Sequence, residues 1–138
     1  MVSYRNLIEL ALNARQFAYA PYSHFWVGSA LLTSENEVYT GCNIEFSSYS
    51  PTVCAERVAL LKAVSSGKNK IVAMAIAGGF ETENPNSLKS LISPCGVCRQ
   101  SLSEFCEDSF VIIAARNVND SKLYTLGELL PNRFVLEK

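Results

Sequence analysis

The stretch "SPTVCAERVALLKAVSSGKNKIVAMAIAGG", residues 50–79, decides the fold because a helical pattern runs directly into a strand pattern. Its first half repeats apolar residues at helical spacing, at Val53, Val58, Leu61 and Val64. A glycine stop at Gly67 ends this predicted helix. The following "KIVAMAIAGG", residues 70–79, is a short apolar run with the length of a buried strand.

The segments on either side of this stretch predict further helices and strands. Upstream lie a helix over residues about 3 to 18 and a hairpin whose strands "FWVGSALL" (25–32) and "EVYTGCN" (37–43) flank the turn "TSEN". Downstream lie a helix from Cys95 to Cys106, a buried strand "SFVIIAAR" (109–116) and a short helix in "TLGELLPNRF" (125–134) stopped by Pro131. This order predicts an α/β fold, a three-layer mixed β-sheet covered by helices, with residues 1–138 as a single domain.

Composition narrows the class of partner. The net charge is −1 and the twelve basic residues are scattered, which favours a small-molecule substrate over a nucleic-acid polymer. No apolar window has the length of a membrane span, and Arg5, Glu9 and Arg15 interrupt any signal-like block at the N-terminus. These features predict a cytoplasmic protein with no membrane partner, whose five cysteines are reduced.

Two similar stretches carry the candidate chemistry, "SPTVCAER" (50–57) and "SPCGVCRQ" (93–100). Each has a Ser-Pro step before its first cysteine, which predicts a helix start because proline suits the first helical turn. Thiolates are stabilised there by free N–H groups and by the helix dipole. A C-x-x-C pair alone suits redox exchange and metal binding equally well. Together, Cys54, Cys95 and Cys98 match a catalytic zinc site, which has three protein ligands and an open fourth position.

Three more residues are candidates for a fourth ligand. Cys106 follows Cys98 by eight residues, roughly 12 Å along a helix, and should not reach the same ion. Cys42 and His24 lie in hairpin sequence without a helix start, so we interpret each as a packing residue or as a residue that supports the ligands, although spacing alone does not exclude them.

Two charged residues follow the first cysteine. Glu56 is two positions from Cys54, where a carboxylate can act as a general acid and base without binding the metal. Arg57 can offset the negative charge of the thiolates, although taken alone it also fits an ordinary surface position on a helix.

The C-A-E and P-C-x-x-C motifs resemble those of the zinc-dependent nucleoside and nucleotide deaminases. A cysteine as first ligand is typical of the small cytidine deaminases within that superfamily. The resemblance covers nearly the whole chain. It includes "APYSHFWVGSALL" (20–32), "GCNIE" (41–45), "VCAERVALLKAV" (53–64), "SPCGVCRQSLSEF" (93–105) and "ELLPNRF" (128–134).

This resemblance implies a reaction, a cofactor and an assembly. The reaction would be hydrolytic deamination of free cytidine and deoxycytidine, with water as co-substrate and ammonia released, in pyrimidine salvage. Cys54, Cys95 and Cys98 would hold one Zn²⁺ per subunit, and Glu56 would shuttle protons. The assembly would be a homotetramer with its sites at subunit interfaces.

The resemblance also implies substrate-binding residues. Asn43 and Glu45 match the pair that hydrogen-bonds the ribose hydroxyls, and Phe25 matches an aromatic residue near the base. The backbone N–H of Ala55 matches the donor to the pyrimidine O2. Phe134 matches a terminal aromatic residue that enters a neighbouring subunit's site.

The sequence departs from the family pattern at Phe46, where asparagine is usual, and in a longer loop over residues 80–92. A second hypothesis is a blasticidin-type aminonucleoside deaminase, which shares the zinc motifs; Glu45 and Phe134 favour the cytidine deaminases. A structural zinc module and a redox C-x-x-C protein are two further hypotheses, and Glu56 argues against both of them.

Overall fold

The computed structural model describes residues 1–138 and contains every helix and strand that the apolar pattern predicts, together with one additional strand. The elements are α1 (Tyr4–Arg15), β1 (Phe25–Thr33), β2 (Val38–Cys42), α2 (Ala55–Ser65), β3 (Ile71–Phe80), α3 (Gly96–Ser103), β4 (Val111–Asn117), β5 (Asp120–Thr125) and α4 (Leu126–Leu129). The strands form one sheet in the order β2-β1-β3-β4-β5. Only the β3–β4 pair is parallel, so the predicted mixed sheet is present.

Side-chain alternation along the strands divides the core into two layers. On β1, Leu31 belongs to the cluster that packs under α2 and α3, whereas Ala30 and Leu32 belong to the cluster under α1. Strand β3 alternates in the same way, with Met74 on one side of the sheet and Ala75 on the other. The three predicted layers follow from this period-two pattern.

Strand β5 is the additional element, and it lies at the edge of the sheet. It pairs antiparallel with β4 and carries the polar sequence "DSKLYT", in which the apolar pattern of a strand is absent. The last helix, α4, follows β5 directly and ends before Pro131, as predicted. Thr125 is its N-cap and forms a reciprocal capping box with Glu128.

Helix boundaries also differ from the predicted ones. Helix α1 begins after its N-cap Ser3 and ends at Arg15, three residues short of the predicted end. The two Ser-Pro steps lie outside the helices rather than in their first turns, because Cys54 and Cys95 are themselves the N-cap residues. None of the helices combines the length and apolar character needed to cross a membrane.

Helix α2 lies unusually close to the hairpin strands. A Cβ atom at Gly41 in β2 would collide with the Ala55 carbonyl oxygen and would lie 2.6 Å from the Ala59 nitrogen. In β1, the buried Ser29 hydroxyl donates to the same Ala55 carbonyl at 2.9 Å. The first turn of α2, which follows Cys54, is therefore fixed against the sheet by backbone contact.

Candidate active site

Three cysteine sulfurs converge where the N-termini of α2 and α3 meet. The Sγ atoms of Cys54, Cys95 and Cys98 all lie within 4.8 Å of one another. The Cys95 sulfur is 3.7 Å from that of Cys54 and 3.6 Å from that of Cys98. None of the three is in a disulfide. The predicted metal ligands are thus brought together by two helix starts.

The protonation of these sulfurs fits a bound cation. A hydrogen bond from the Cys98 thiol lowers the pKa of Cys54 to about 5, and the same hydrogen bond raises the pKa of Cys98. The close approach of the sulfurs thus favours the deprotonated form of Cys54 and the protonated form of Cys98. A divalent cation replaces thiol protons in such a set, and three sulfur ligands suit zinc with one coordination position left open.

Arg57 lies beside the cluster and brings positive charge to it. Its Nη2 donates to the Thr52 carbonyl at 3.1 Å, whereas its buried Nε has no hydrogen-bond partner. Although partial burial opposes the effect, the sulfurs of Cys98 and Cys54 raise the pKa of Arg57. This location beside the sulfurs is compatible with the predicted role of Arg57 in offsetting thiolate charge.

Glu56 occupies the first turn of α2, one residue after the N-terminal residue of the helix. Only 4% of it is exposed, and this burial raises the pKa of Glu56 to about 7. A carboxyl group with a pKa near neutrality both accepts and donates protons under physiological conditions. These are the properties of a general acid and base.

A cavity of about 290 Å³ opens over the sulfur cluster. Seven residues that the sequence singles out line it: Phe25, Asn43, Glu45, Cys54, Ala55, Glu56 and Cys95. Cys98 is fully buried behind this wall. Phe134 does not line the cavity of its own chain; it is 68% exposed near the C-terminus.

Asn43 is already hydrogen-bonded to the start of β1, and Glu45 is hydrogen-bonded to the segment that precedes this strand. The Asn43 amide accepts from the Val27 N–H at 2.9 Å and donates to the Phe25 carbonyl at 2.8 Å. The Glu45 carboxylate accepts from the backbone N–H groups of Tyr22 and Ser23 and from the Ser23 hydroxyl. Both side chains can form further hydrogen bonds, because an amide has two N–H donors and a carboxylate has about four lone-pair positions.

Residues 1–114 match the family model described as "Cytidine and deoxycytidylate deaminase zinc-binding region". The chain belongs to this family. The match confirms the family that the motifs predict, and with it the α/β fold, the hydrolase class and the zinc cofactor.

Named members of this deaminase family are similar over nearly their full lengths. Cytidine deaminase of Sporosarcina psychrophila is 44% identical over 95% of this chain and 90% of its own. That of Halalkalibacterium halodurans is 42% identical over 95% and 93%. The crystal structure of cytidine deaminase from Burkholderia pseudomallei superposes with a TM-score of 0.85 and 37% identity, covering 96% of this chain and 100% of that one.

Arg99 supports the segment that carries Cys95, and the sequence analysis does not single it out. Its guanidinium donates to the Pro94 carbonyl at 2.7 Å, to the Ser93 hydroxyl at 3.0 Å and to the Leu129 carbonyl at 2.8 Å. These bonds tie the turn before Cys95 to the end of α4. Its position beside Cys98 in the C-x-x-C-R run is the only signal that points to it.

The three remaining candidate ligands lie outside the sulfur cluster. Cys42 is in β2, and His24 precedes β1 with its Nδ1 3.4 Å from the Glu81 carboxylate. Burial raises the pKa of Cys106 to about 12, which keeps that thiol protonated. The absence of these residues from the cluster agrees with their interpretation as residues other than ligands.

Proposed function

We propose that the protein is a cytidine deaminase that hydrolyses free cytidine and deoxycytidine to uridine and deoxyuridine, releasing ammonia, in pyrimidine salvage. The observation that carries this proposal is the buried carboxyl group of Glu56 on the cavity wall beside three clustered cysteine sulfurs. A structural zinc site needs no such carboxyl group, and neither does a redox C-x-x-C pair. The relatives named cytidine deaminase support the choice of substrate.

Cys54, Cys95 and Cys98 would hold the zinc ion, which would supply Lewis acidity that lowers the pKa of water. Glu56 accepts a proton from the attacking water and delivers it to ring N3, which makes C4 electrophilic. After water oxygen has added to C4, Glu56 moves the second proton to the exocyclic nitrogen. The C4–N bond then breaks, ammonia leaves, and C4 keeps a carbonyl oxygen.

Binding roles follow from the residues that line the cavity. The backbone N–H of Ala55, next to Glu56 at the start of α2, would donate to the pyrimidine O2. Asn43 and Glu45 would use their spare donor and acceptor positions on the ribose hydroxyls. Phe25 would pack against the base. These assignments are consistent with a neutral nucleoside, since the cavity wall adds no lysine for a phosphate.

We also infer a homotetramer in which Phe134 enters a neighbouring subunit's site. Large apolar side chains are strongly exposed on the isolated chain, among them Tyr49, Phe134, Val135 and Leu136. Exposed apolar groups of this size mark contact surfaces. Light scattering of the active enzyme tests the assembly, and an active monomer would refute it.

We infer further that residues 1–138 act as one deaminase domain in the cytoplasm. Both core clusters pack against the same sheet, and all five cysteines are free, as expected in a reducing compartment. Cell fractionation tests the location, and recovery of the protein in an oxidising compartment would contradict it.

The test of the reaction is conversion of cytidine to uridine by purified zinc-loaded protein. Glu56→Gln removes the proton carrier while keeping the shape of the side chain, and should lower kcat about 10²- to 10⁴-fold with zinc retained. Glu107→Gln is the matched control, because Glu107 is exposed and lies outside the cavity. No turnover by the wild type would refute the function, and equal turnover by Glu56→Gln would refute the proton role. Faster turnover of blasticidin S than of cytidine would favour an aminonucleoside deaminase.

A further inference from the structure

Phe80 lies directly behind a residue of the cavity wall. It is the register partner of Phe25 at the end of the β1–β3 ladder. The two rings meet edge to face, with centroids 5.1 Å apart and an interplanar angle of 88°. Phe25 lines the cavity, whereas Phe80 does not. Phe80 is thus in a position to act on a bound ligand only through the Phe25 ring.

The backbone at Phe80 is held from one side by Arg15. The Arg15 Nη2 donates to the carbonyls of Gly79 and Phe80 at 2.8 and 2.9 Å, and its Nε donates to the Trp26 carbonyl at 3.0 Å. Arg15 is only 2% exposed, although it belongs to the helix on the face of the sheet opposite the cavity. A buried guanidinium that serves three carbonyls fixes the last residues of β3 against β1.

The same backbone is held a second time by Glu83, within the long loop over residues 80–92. One Glu83 oxygen accepts from the Phe80 N–H at 2.6 Å, and the other accepts from the Lys89 N–H at 2.9 Å. These hydrogen bonds from Lys89 and Phe80 hold the pKa of Glu83 below its usual value. Gly79 makes room for the carboxylate, since a Cβ atom there would lie 2.9 Å from it.

We propose that Phe80 is a positioning residue that sets the Phe25 ring in the cavity wall and thereby raises the affinity for the nucleoside. The proposal rests on the proposed function and on the role of Phe25 in it. An edge-to-face partner restricts the rotation of the Phe25 side chain, so the wall is preorganised before the ligand binds. The groups proposed to perform the chemistry lie at the starts of α2 and α3, whereas this aromatic pair lies on β1 and β3.

The first test separates KM from kcat. Phe80→Ala should raise KM for cytidine about three- to tenfold and leave kcat within about twofold. This range is the change in affinity that corresponds to the free energy of one aromatic pair. Phe80→Tyr keeps the ring and should restore KM. Leu123→Ala is the matched control, because Leu123 is 54% exposed and Phe80 is 53% exposed. An unchanged KM in Phe80→Ala, or a fall in kcat alone, would overturn the proposal.

A double-mutant cycle then tests whether the effect passes through Phe25. If it does, Phe25→Ala/Phe80→Ala should have the same KM as Phe25→Ala, because the partner ring is already absent. If the KM increases of the two single variants multiply in the double variant, Phe80 acts independently of Phe25. Zinc content and thermal melting are measured for every variant, so that a folding defect is recognised.

Titration calorimetry with uridine supplies a readout that needs no turnover. The zinc-loaded Phe80→Ala variant should bind uridine about three- to tenfold more weakly than the wild type. If the wild type fails to deaminate cytidine but Phe80→Ala still binds uridine more weakly than the wild type, the proposed function is refuted and the role of Phe80 in nucleoside binding stands. Unchanged binding beside normal deamination would refute the role of Phe80 alone.

Discussion

The starts of α2 and α3 share one chemistry but differ in what supports them. Each begins immediately after a cysteine N-cap whose side chain makes no capping hydrogen bond, which leaves the sulfur available to a metal. In α2 the first two residues, Ala55 and Glu56, are buried, whereas Gly96 at the start of α3 is exposed. The start of α2 brings one sulfur and Glu56, the proposed proton carrier, whereas the start of α3 brings two sulfurs and no acidic group.

The difference in support explains this division of roles. The start of α2 is fixed by backbone contact with Gly41 and by the Ser29 hydroxyl, both of which belong to the sheet. A proton carrier needs that rigidity, because proton transfer depends on hydrogen-bond distances. The start of α3 is tied instead by the Arg99 side chain. A bound metal ion would further fix the start of α3, because metal binding by cysteine ligands is coupled to folding.

Removing a sulfur from α3 should produce the largest effect. Cys98→Ala leaves two of the three clustered sulfurs, so zinc content should fall close to zero and deamination with it. Metal analysis and the cytidine assay measure both. Cys42→Ala is the control, because Cys42 lies outside the cluster and should keep its zinc. One zinc per chain in Cys98→Ala would show that the three sulfurs are not the ligand set.

Adding a methyl group under α2 should have the next largest effect. In Gly41→Ala the new Cβ would collide with the Ala55 carbonyl oxygen and would lie 3.0 Å from the Val58 Cβ, so α2 must shift. Overpacking of this kind lowers the free energy of unfolding by about 1–3 kcal/mol, and activity should fall because Cys54 and Glu56 move with the helix. Urea unfolding at a fixed protein concentration measures the change. Wild-type stability in this variant would mean that the backbone contact does not fix α2.

Weakening the tether of α3 should have a smaller effect. Arg99→Lys keeps the positive charge but loses the forked donors that reach Pro94, Ser93 and Leu129. Zinc affinity should fall roughly tenfold, as it does when groups that orient metal ligands are removed. Competition with a chelator measures this affinity. Arg5→Lys on the surface of α1 is the matched control, and equal affinities in the two variants would contradict the tether.

The local parts of the site could be predicted from the sequence. Cys95 and Cys98 are one helical turn apart, and Cys54 begins a second helix with the same preceding Ser-Pro step, so their shared chemistry is visible in the spacing. Glu56 follows from its distance along the chain to Cys54. The apolar runs of β3 and β4 predict that these strands lie inside the sheet. A strand that is buried on both faces has a continuous apolar sequence, which is a local signal.

The parts that could not be predicted depend on contacts between distant residues. Arg15 bonds to a carbonyl 64 positions away and Arg99 to one 30 positions away, and no local pattern encodes either bond. Strand β5 is held by backbone pairing to β4 while its Lys122 and Leu123 side chains are exposed, so it has no apolar period. The role of Phe134 stays a prediction, since it concerns a neighbouring subunit.

The mildest change is the counterpart of Gly41→Ala at the other helix start. A Cβ atom at Gly96 would meet nothing within 4 Å, and the residue has ordinary helical geometry. Gly96→Ala should therefore leave zinc content and activity unchanged and raise the free energy of unfolding by about 0.4–1 kcal/mol, because alanine loses less backbone freedom on folding. Urea unfolding beside Gly41→Ala gives the comparison directly. A loss of stability in Gly96→Ala as large as that in Gly41→Ala would show that both helix starts are confined by backbone contact, and the contrast between them would not hold.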